Sequence, residues 1–192
     1  MTEHLVRGHW LTGGVKFLQT HYPAATNERL LGALPKGLRA LVLDIQPVQL
    51  YPRAHHVDLL NAIASVHRDE ASAYDSLSAY GELVANDASK GALKPLMEIL
   101  TLRLLARKLP DMWRNDHQDD GMLEVDIAQV DDSCLGVKIS GLDDYAHIGV
   151  VTLGWIKGLV SALGARNVVL TQTGWSLGQG APDELTFEVR WT

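Results

Sequence analysis

The sequence predicts an α+β fold, a helical N-terminal half packed on a four-stranded, mostly antiparallel sheet crossed by one helix. Three observations predict it. Apolar residues recur at helical spacing early in the chain, as in Val57, Leu60, Ile63 and Ala64. From Leu123 the period shortens to two, with Leu123, Val125 and Ile127 on one face and Glu124, Asp126 and Ala128 on the other. Between that hairpin and the alternating end, Leu185-Thr-Phe-Glu-Val-Arg-Trp191, lies one more helical stretch, Gly149 to Leu163. Two hairpins flanking a helix suit a binding or dimerising module better than a common catalytic scaffold.

Size and composition are consistent with this. The 192 residues suit one domain, with a helical part over 1–118 and a ββαββ part over 119–192. A hydrophobic content of 46% supplies a core, and a charged content of 21% argues against disorder. The net charge of −6 and the lack of a basic stripe disfavour nucleic acid. No apolar run approaches the length of a membrane span, and Met1-Thr-Glu-His-Leu-Val-Arg7 lacks the layout of a secretory signal. A single cysteine, Cys134, excludes an internal disulfide and a multi-cysteine zinc site. A soluble cytoplasmic protein is expected.

The elements follow in order. Leu5, Val6, Trp10, Val15, Phe17 and Leu18 predict a helix over 3–21, ended by Tyr22-Pro23. A short helix or turn spans Asn27 to Leu34, and Leu38 to Leu43 adds a turn or two. Pro47 and Pro52 punctuate a loop over 44–52. A helix covers His55 to Val66, and Asp69-Glu70 open another, with acids suited to its first turn. Ala73, Leu77, Tyr80, Leu83 and Val84 form its buried face, and a break comes at Asn86 to Gly91. Pro95 starts the next helix, whose stretch Leu96 to Leu105 is apolar nearly all round and predicts the central buried helix. Pro110 stops or restarts it, and Arg114 to Gly121 is a polar loop. Strands are expected over 122–130, 134–140, 166–173 and 184–191, with the turn Asp131-Asp132-Ser133 and a glycine-rich loop over 174–182. Gly164 caps the Gly149–Leu163 helix.

Few residues point to chemistry. Eight histidines invite a metal or haem, but adjacent His55 and His56 diverge by about 100° on a helix, and no H-x-x-x-H spacing occurs. Surface or capping roles are expected for all eight. The loop Gly174 to Gly180 lies between strands, with no helix behind it to bind phosphate. Gly149, Gly154 and Gly158 each cost the helix roughly 1 kcal/mol against alanine, so close packing of helix on sheet is expected there. The G-x-x-x-G spacing of Gly154 and Gly158 would also suit a dimer seam. The acidic pairs Asp119-Asp120, Asp131-Asp132 and Asp143-Asp144 border turns. Cys134 reads as a small buried hydrophobe, and Ser133 and Ser140 lack a nucleophile elbow. No nucleophile and base stand out as a pair, so a non-enzymatic role is expected.

The segments Val137-Lys-Ile-Ser-Gly-Leu-Asp-Asp144, His147-Ile-Gly-Val-Val-Thr-Leu-Gly-Trp-Ile-Lys-Gly-Leu-Val160 and Ala165-Arg-Asn-Val-Val-Leu170 resemble one C-terminal subdomain. It belongs to the superfamily that unites haem-NO-binding (H-NOX) domains, 4-vinyl reductase domains and small subunits of Golgi-tethering complexes. Leu109-Pro-Asp-Met-Trp-Arg-Asn115 is similar to the H-NOX helix that leads toward the haem-ligating histidine. Over residues 5–192 the chain more closely resembles a myxobacterial paralogous domain of about this length, through Leu50-Tyr-Pro52, Leu109-Pro110 with Trp113, Gly154-Trp155 and Phe187-Glu-Val-Arg-Trp191. The resemblance implies a hydrophobic cavity between helices and sheet, and frequent dimerisation.

The departures limit what carries over. H-NOX domains hold haem propionates with a Tyr-x-Ser-x-Arg motif, and Val137-Lys-Ile-Ser-Gly-Leu142 has none. The nearest histidine after Leu109-Pro110 is His117, inside a polar run. The cysteines of 4-vinyl reductase domains are missing around the last loop, where Trp175 and Asp183 stand. The expectation is therefore a signalling or scaffolding module without a cofactor or metal. It would bind a small apolar ligand, a protein partner or a second copy, with Trp113, Leu100, Leu104 and Trp155 lining cavity or core. The alternative is a haem or gas sensor with His117 as axial ligand.

Overall fold

The computed structural model describes residues 4–118, 121–126, 133–141, 147–173 and 184–192. The first strand, β1 (Leu5–Arg7), leads into α1 (Gly8–His21), α2 (Ala24–Ala33) and α3 (Lys36–Leu41). After β2 (Leu50–Pro52) come α4 (Arg53–Ala64), α5 (Glu70–Lys90), α6 (Lys94–Met97), α7 (Leu102–Asp116) and β3 (His117–Gln118). The remainder is β4 (Met122–Asp126), β5 (Cys134–Ser140), α8 (Ile148–Ala162), β6 (Val169–Thr173) and β7 (Glu184–Arg190).

The predicted four-stranded sheet is present, in the order β4-β5-β7-β6, with every pairing antiparallel. Helix α8 lies between this sheet and α5, which explains its glycines. A Cβ at Gly149 would run into Leu185 of β7, so that glycine serves helix-on-sheet packing as expected. The other two face a different neighbour. A Cβ at Gly154 would collide with the Ser78 carbonyl oxygen, and one at Gly158 would stand 2.6 Å from the Ala85 Cβ. From the other side, a Cβ at Gly81 would strike the Val151 carbonyl. The small-residue seam is thus filled by α5 rather than left for a second copy. Gly164, at φ +94°, follows the end of α8 in the left-handed region that favours glycine.

Five expectations for the helical half need correction. The chain opens in a strand, and the first helix begins only at Gly8. β1 is the centre of a small sheet ordered β2-β1-β3, so part of the expected 44–52 loop is also a strand. Arg7 reinforces this entry by donating to the carbonyls of Asn115 (2.9 Å) and Val48 (2.7 Å). Helix α5, capped where Asp69 accepts from the Ser72 amide at 2.8 Å, runs on through the expected break to Lys90. Leu96 to Leu105 is not the central buried helix. α6 stops at Met97, Ile99 is 72% exposed, and Thr101 caps α7 by accepting from the Leu104 amide. Pro110 sits inside α7 and neither stops nor restarts it. The helix buried on nearly all sides is α8.

Candidate functional site

Trp10, on α1, stands at the centre of an aromatic and imidazole nest. His117 (5.4 Å between ring centroids), His56 (5.5 Å), His9 (5.6 Å), Trp155 (5.9 Å) and Tyr80 (6.3 Å) surround it. The Tyr80 hydroxyl donates to the Trp10 carbonyl at 2.5 Å. With its proton so placed, that hydroxyl can only accept from His56 Nε2, 2.9 Å away, which fixes the proton of His56 on Nε2. Burial pushes His56 well below the usual imidazole range, and His117 and His9 push it further in the same direction.

His117 ends α7, its amide donating to the Trp113 carbonyl, and its ring stacks on Trp113 at 4.0 Å. It is 2% exposed, and neither ring nitrogen makes a well-formed hydrogen bond among the described residues. Burial lowers its pKa to about 4, against a smaller upward pull from Asp116 and from the nearby Trp113 carbonyl. The expectation that every histidine is a surface or capping residue therefore fails for His56, buried within α4, whereas His117, though buried, stands at the C-cap of α7.

Beside the nest, a cleft of about 430 Å³ opens between α1, α5 and α7. One face of α1, from His9 to Lys16, forms a wall, and Val84 of α5, Met112 of α7 and Trp155 of α8 supply apolar surface. A polar pair stands at each end of that α1 face. Lys16 Nζ holds both carboxylate oxygens of Asp87, at 2.8 and 2.6 Å, and His9 Nε2 lies 3.2 Å from Asp116 Oδ2. A second recess, of about 460 Å³, lies between α7 and the sheet, where Trp113, Arg114 and Lys138 border it.

The four residues expected to line a cavity or core are not gathered in one place. Trp155 borders the cleft and Trp113 the second recess, while Leu100 is buried in the core. Leu104 is corrected outright: it is 37% exposed on α7 and lines neither recess. Sequence reasoning missed Trp10, His56 and Tyr80 as a connected group, and His9, Lys16, Asp87 and Asp116 as a cleft. A helical stripe of His9, Thr12, Gly13 and Lys16 was the available signal for one wall. The pairs Asp119-Asp120, Asp131-Asp132 and Asp143-Asp144, and the loop 174–182, lie outside the described residues.

These residues do not suit haem. His117 is packed flat on Trp113 and reaches neither recess. The cleft offers His9, already engaged by Asp116, and its carboxylates would face the propionates while its lysine is already paired. Among the described residues, no group of three His, Cys, Asp or Glu is placed to hold a metal ion. No described helix is long and apolar enough to cross a membrane.

No family model and no curated protein matches the chain. Solved structures do. The Fe(II) unliganded A71G mutant of an H-NOX protein from K. algicida superposes with a TM-score of 0.70 at 13% identity, covering 97% of this chain and 96% of that one. An H-NOX protein from S. oneidensis in the Fe(II)NO state gives 0.70 at 11% identity, covering 97% and 99%. An oxygen-binding H-NOX domain related to soluble guanylate cyclases, in its oxygen complex, gives 0.64 at 11% identity, covering 97% and 95%. At this identity the superpositions show a shared fold: the chain has the α+β fold of H-NOX domains.

Proposed function

We propose that this protein is a non-enzymatic, cytoplasmic signalling or scaffolding module that binds a small apolar ligand in the α1/α5/α7 cleft and passes its state to a protein partner. The observation that carries the reading is the cleft itself: a recess of about 430 Å³ with apolar walls, of the size that small-molecule sites occupy. The fold is shared with domains that their structures name as NO- and oxygen-bound, which supports a sensing role. The two halves of the chain act as one unit in this reading, because α5 and α8 bury their glycine faces in each other.

Native mass spectrometry of the purified protein, set against the denatured mass, tests it. A small mass that leaves on denaturation is expected, and Ala88→Trp, which fills the cleft from α5, should abolish it. A bare mass, or a bound molecule indifferent to Ala88→Trp, would refute the cleft as the site. The second reading, a haem sensor using His117, is favoured by the Fe(II) and Fe(II)NO states in which the neighbours were solved and opposed by the stacking of His117 on Trp113. A Soret band on reconstitution with haemin that His117→Ala abolishes would establish it in place of the first.

A further inference from the structure

We propose that the ligand of the α1/α5/α7 cleft carries a cationic amine head, which pairs with Asp116, on an apolar body that lies along the α1 wall. The inference rests on the cleft being the ligand site. Its ionisable side chains are Asp87, Asp116, Lys16 and His9. They are not equivalent. Asp87 is held at both oxygens by a permanent cation, Lys16, so that end is neutralised. Asp116, at the other end, is partnered among the described residues by an imidazole rather than by a permanent cation, and its side chain is only 17% exposed. The neighbouring ring of His117 is neutral near pH 7, so it supplies no counter-charge. A half-buried carboxylate whose only partner among the described residues is an imidazole is the group in the cleft that an incoming charge can complete.

The length of the site fits such a ligand. His9 and Lys16 are seven residues apart on α1, so about 10 Å of wall separates the two polar ends. Between them lie Gly13, Val84 and Met112, which offer no hydrogen bond from a side chain, and Thr12, whose hydroxyl donates to the His9 carbonyl at 3.2 Å. A head group at Asp116 therefore leaves an alkyl or aromatic body against carbon. A carboxylate head would meet Asp116 at one end, and at the other a lysine already taken.

Calorimetric titration of the full chain with octylamine, octanol and octanoate separates the head from the body. Octylamine should bind about tenfold tighter than the other two, as a charge-assisted hydrogen bond allows. Asp116→Asn should bring octylamine to the level of octanol while octanol itself is unchanged, which also shows that the variant keeps its cleft. If octanoate binds tightest, or octylamine equals octanol, or its advantage survives Asp116→Asn, the cationic head is refuted and the cleft stands. If none of the three binds, or Ala88→Trp leaves all three unaffected, the cleft reading fails and this proposal with it.

Discussion

Replacing His117 with phenylalanine should remove a defined part of the protein's acid sensitivity. The imidazole is buried, stacked on Trp113 and held neutral, with its pKa lowered to about 4 from 6.5. A depressed histidine pKa leaves stability untouched above pH 6.5, where neither the folded nor the unfolded state binds the proton. Below it the unfolded chain takes up a proton that the folded chain refuses, so stability falls as pH drops through the window from 6.5 to about 4. One pKa unit is worth about 1.4 kcal/mol, so His117 alone removes about 2 kcal/mol between pH 7 and pH 5, and about 3 kcal/mol by pH 4. That is a large share of a typical folding free energy of roughly 5–15 kcal/mol. His56 is depressed first by its own burial, which the variant keeps, and the smaller part that His117 adds is relieved in the variant and adds to its gain. Urea unfolding of parent and His117→Phe at pH 7 and at pH 5 measures the difference. The variant should gain about 2 kcal/mol on the parent over that interval. Equal pH dependence in the two proteins would mean that the ring is protonated or solvated in the folded state, against its buried place beside Trp113.

Four further outcomes follow from the packing. Gly154→Ala should cost about 1–3 kcal/mol or more, because its methyl would meet the Ser78 carbonyl, a backbone atom that cannot swing aside. Gly32→Ala, where a Cβ meets nothing within 4 Å, should stabilise by roughly 0.5–1 kcal/mol, and thermal melts of the pair would show opposite shifts. Tyr80→Phe strips His56 of its hydroxyl partner and should cost about 1–3 kcal/mol by urea unfolding; no loss would mean that His56 finds another partner without strain. Lys16→Met should cost no more than about 1 kcal/mol, since Lys16 and Asp87 are each about half exposed and screened, and a larger loss would assign the pair a structural role it does not need.

The sheet half was legible because its pattern is local. β5 runs from Cys134 to Ser140 as predicted, and α8 begins and ends within a residue of Gly149 and Leu163. The strands of the helical half were not legible. β1, β2 and β3 have two or three residues each, too short for a period, and they exist because Val6 pairs with Tyr51 and with His117. Leu5 and Val6 are equally at home in a helical pattern, so tertiary pairing decided. The apolar run Leu96 to Leu105 misled for a related reason. Its residues are apolar, but Ile99 is left exposed at a turn, and the Thr101 cap was the local sign that a new helix starts there. The nest was out of reach, because Tyr80 meets Trp10 from 70 residues away and His56 from 24.

The nest also decides how a ligand can act. Trp10, Trp113 and Trp155 come from α1, α7 and α8 and are all but completely buried. Buried indoles are among the largest apolar contributors to a core, so these three rings join the helical half to the sheet half. The cleft lies outside this nest and shares only the rings of His9 and Trp155 with it. A molecule entering the cleft therefore meets a protein that is already folded, as a module that reports on a ligand requires. Its effect on stability is then pure linkage, growing with the logarithm of ligand concentration above Kd. Any change it transmits must come from preferring one arrangement of α1, α5 and α7 over another. Of the contacts across that cleft, the Lys16–Asp87 ion pair is about half exposed at both side chains, and such a pair is weak enough for a ligand of modest affinity to rearrange.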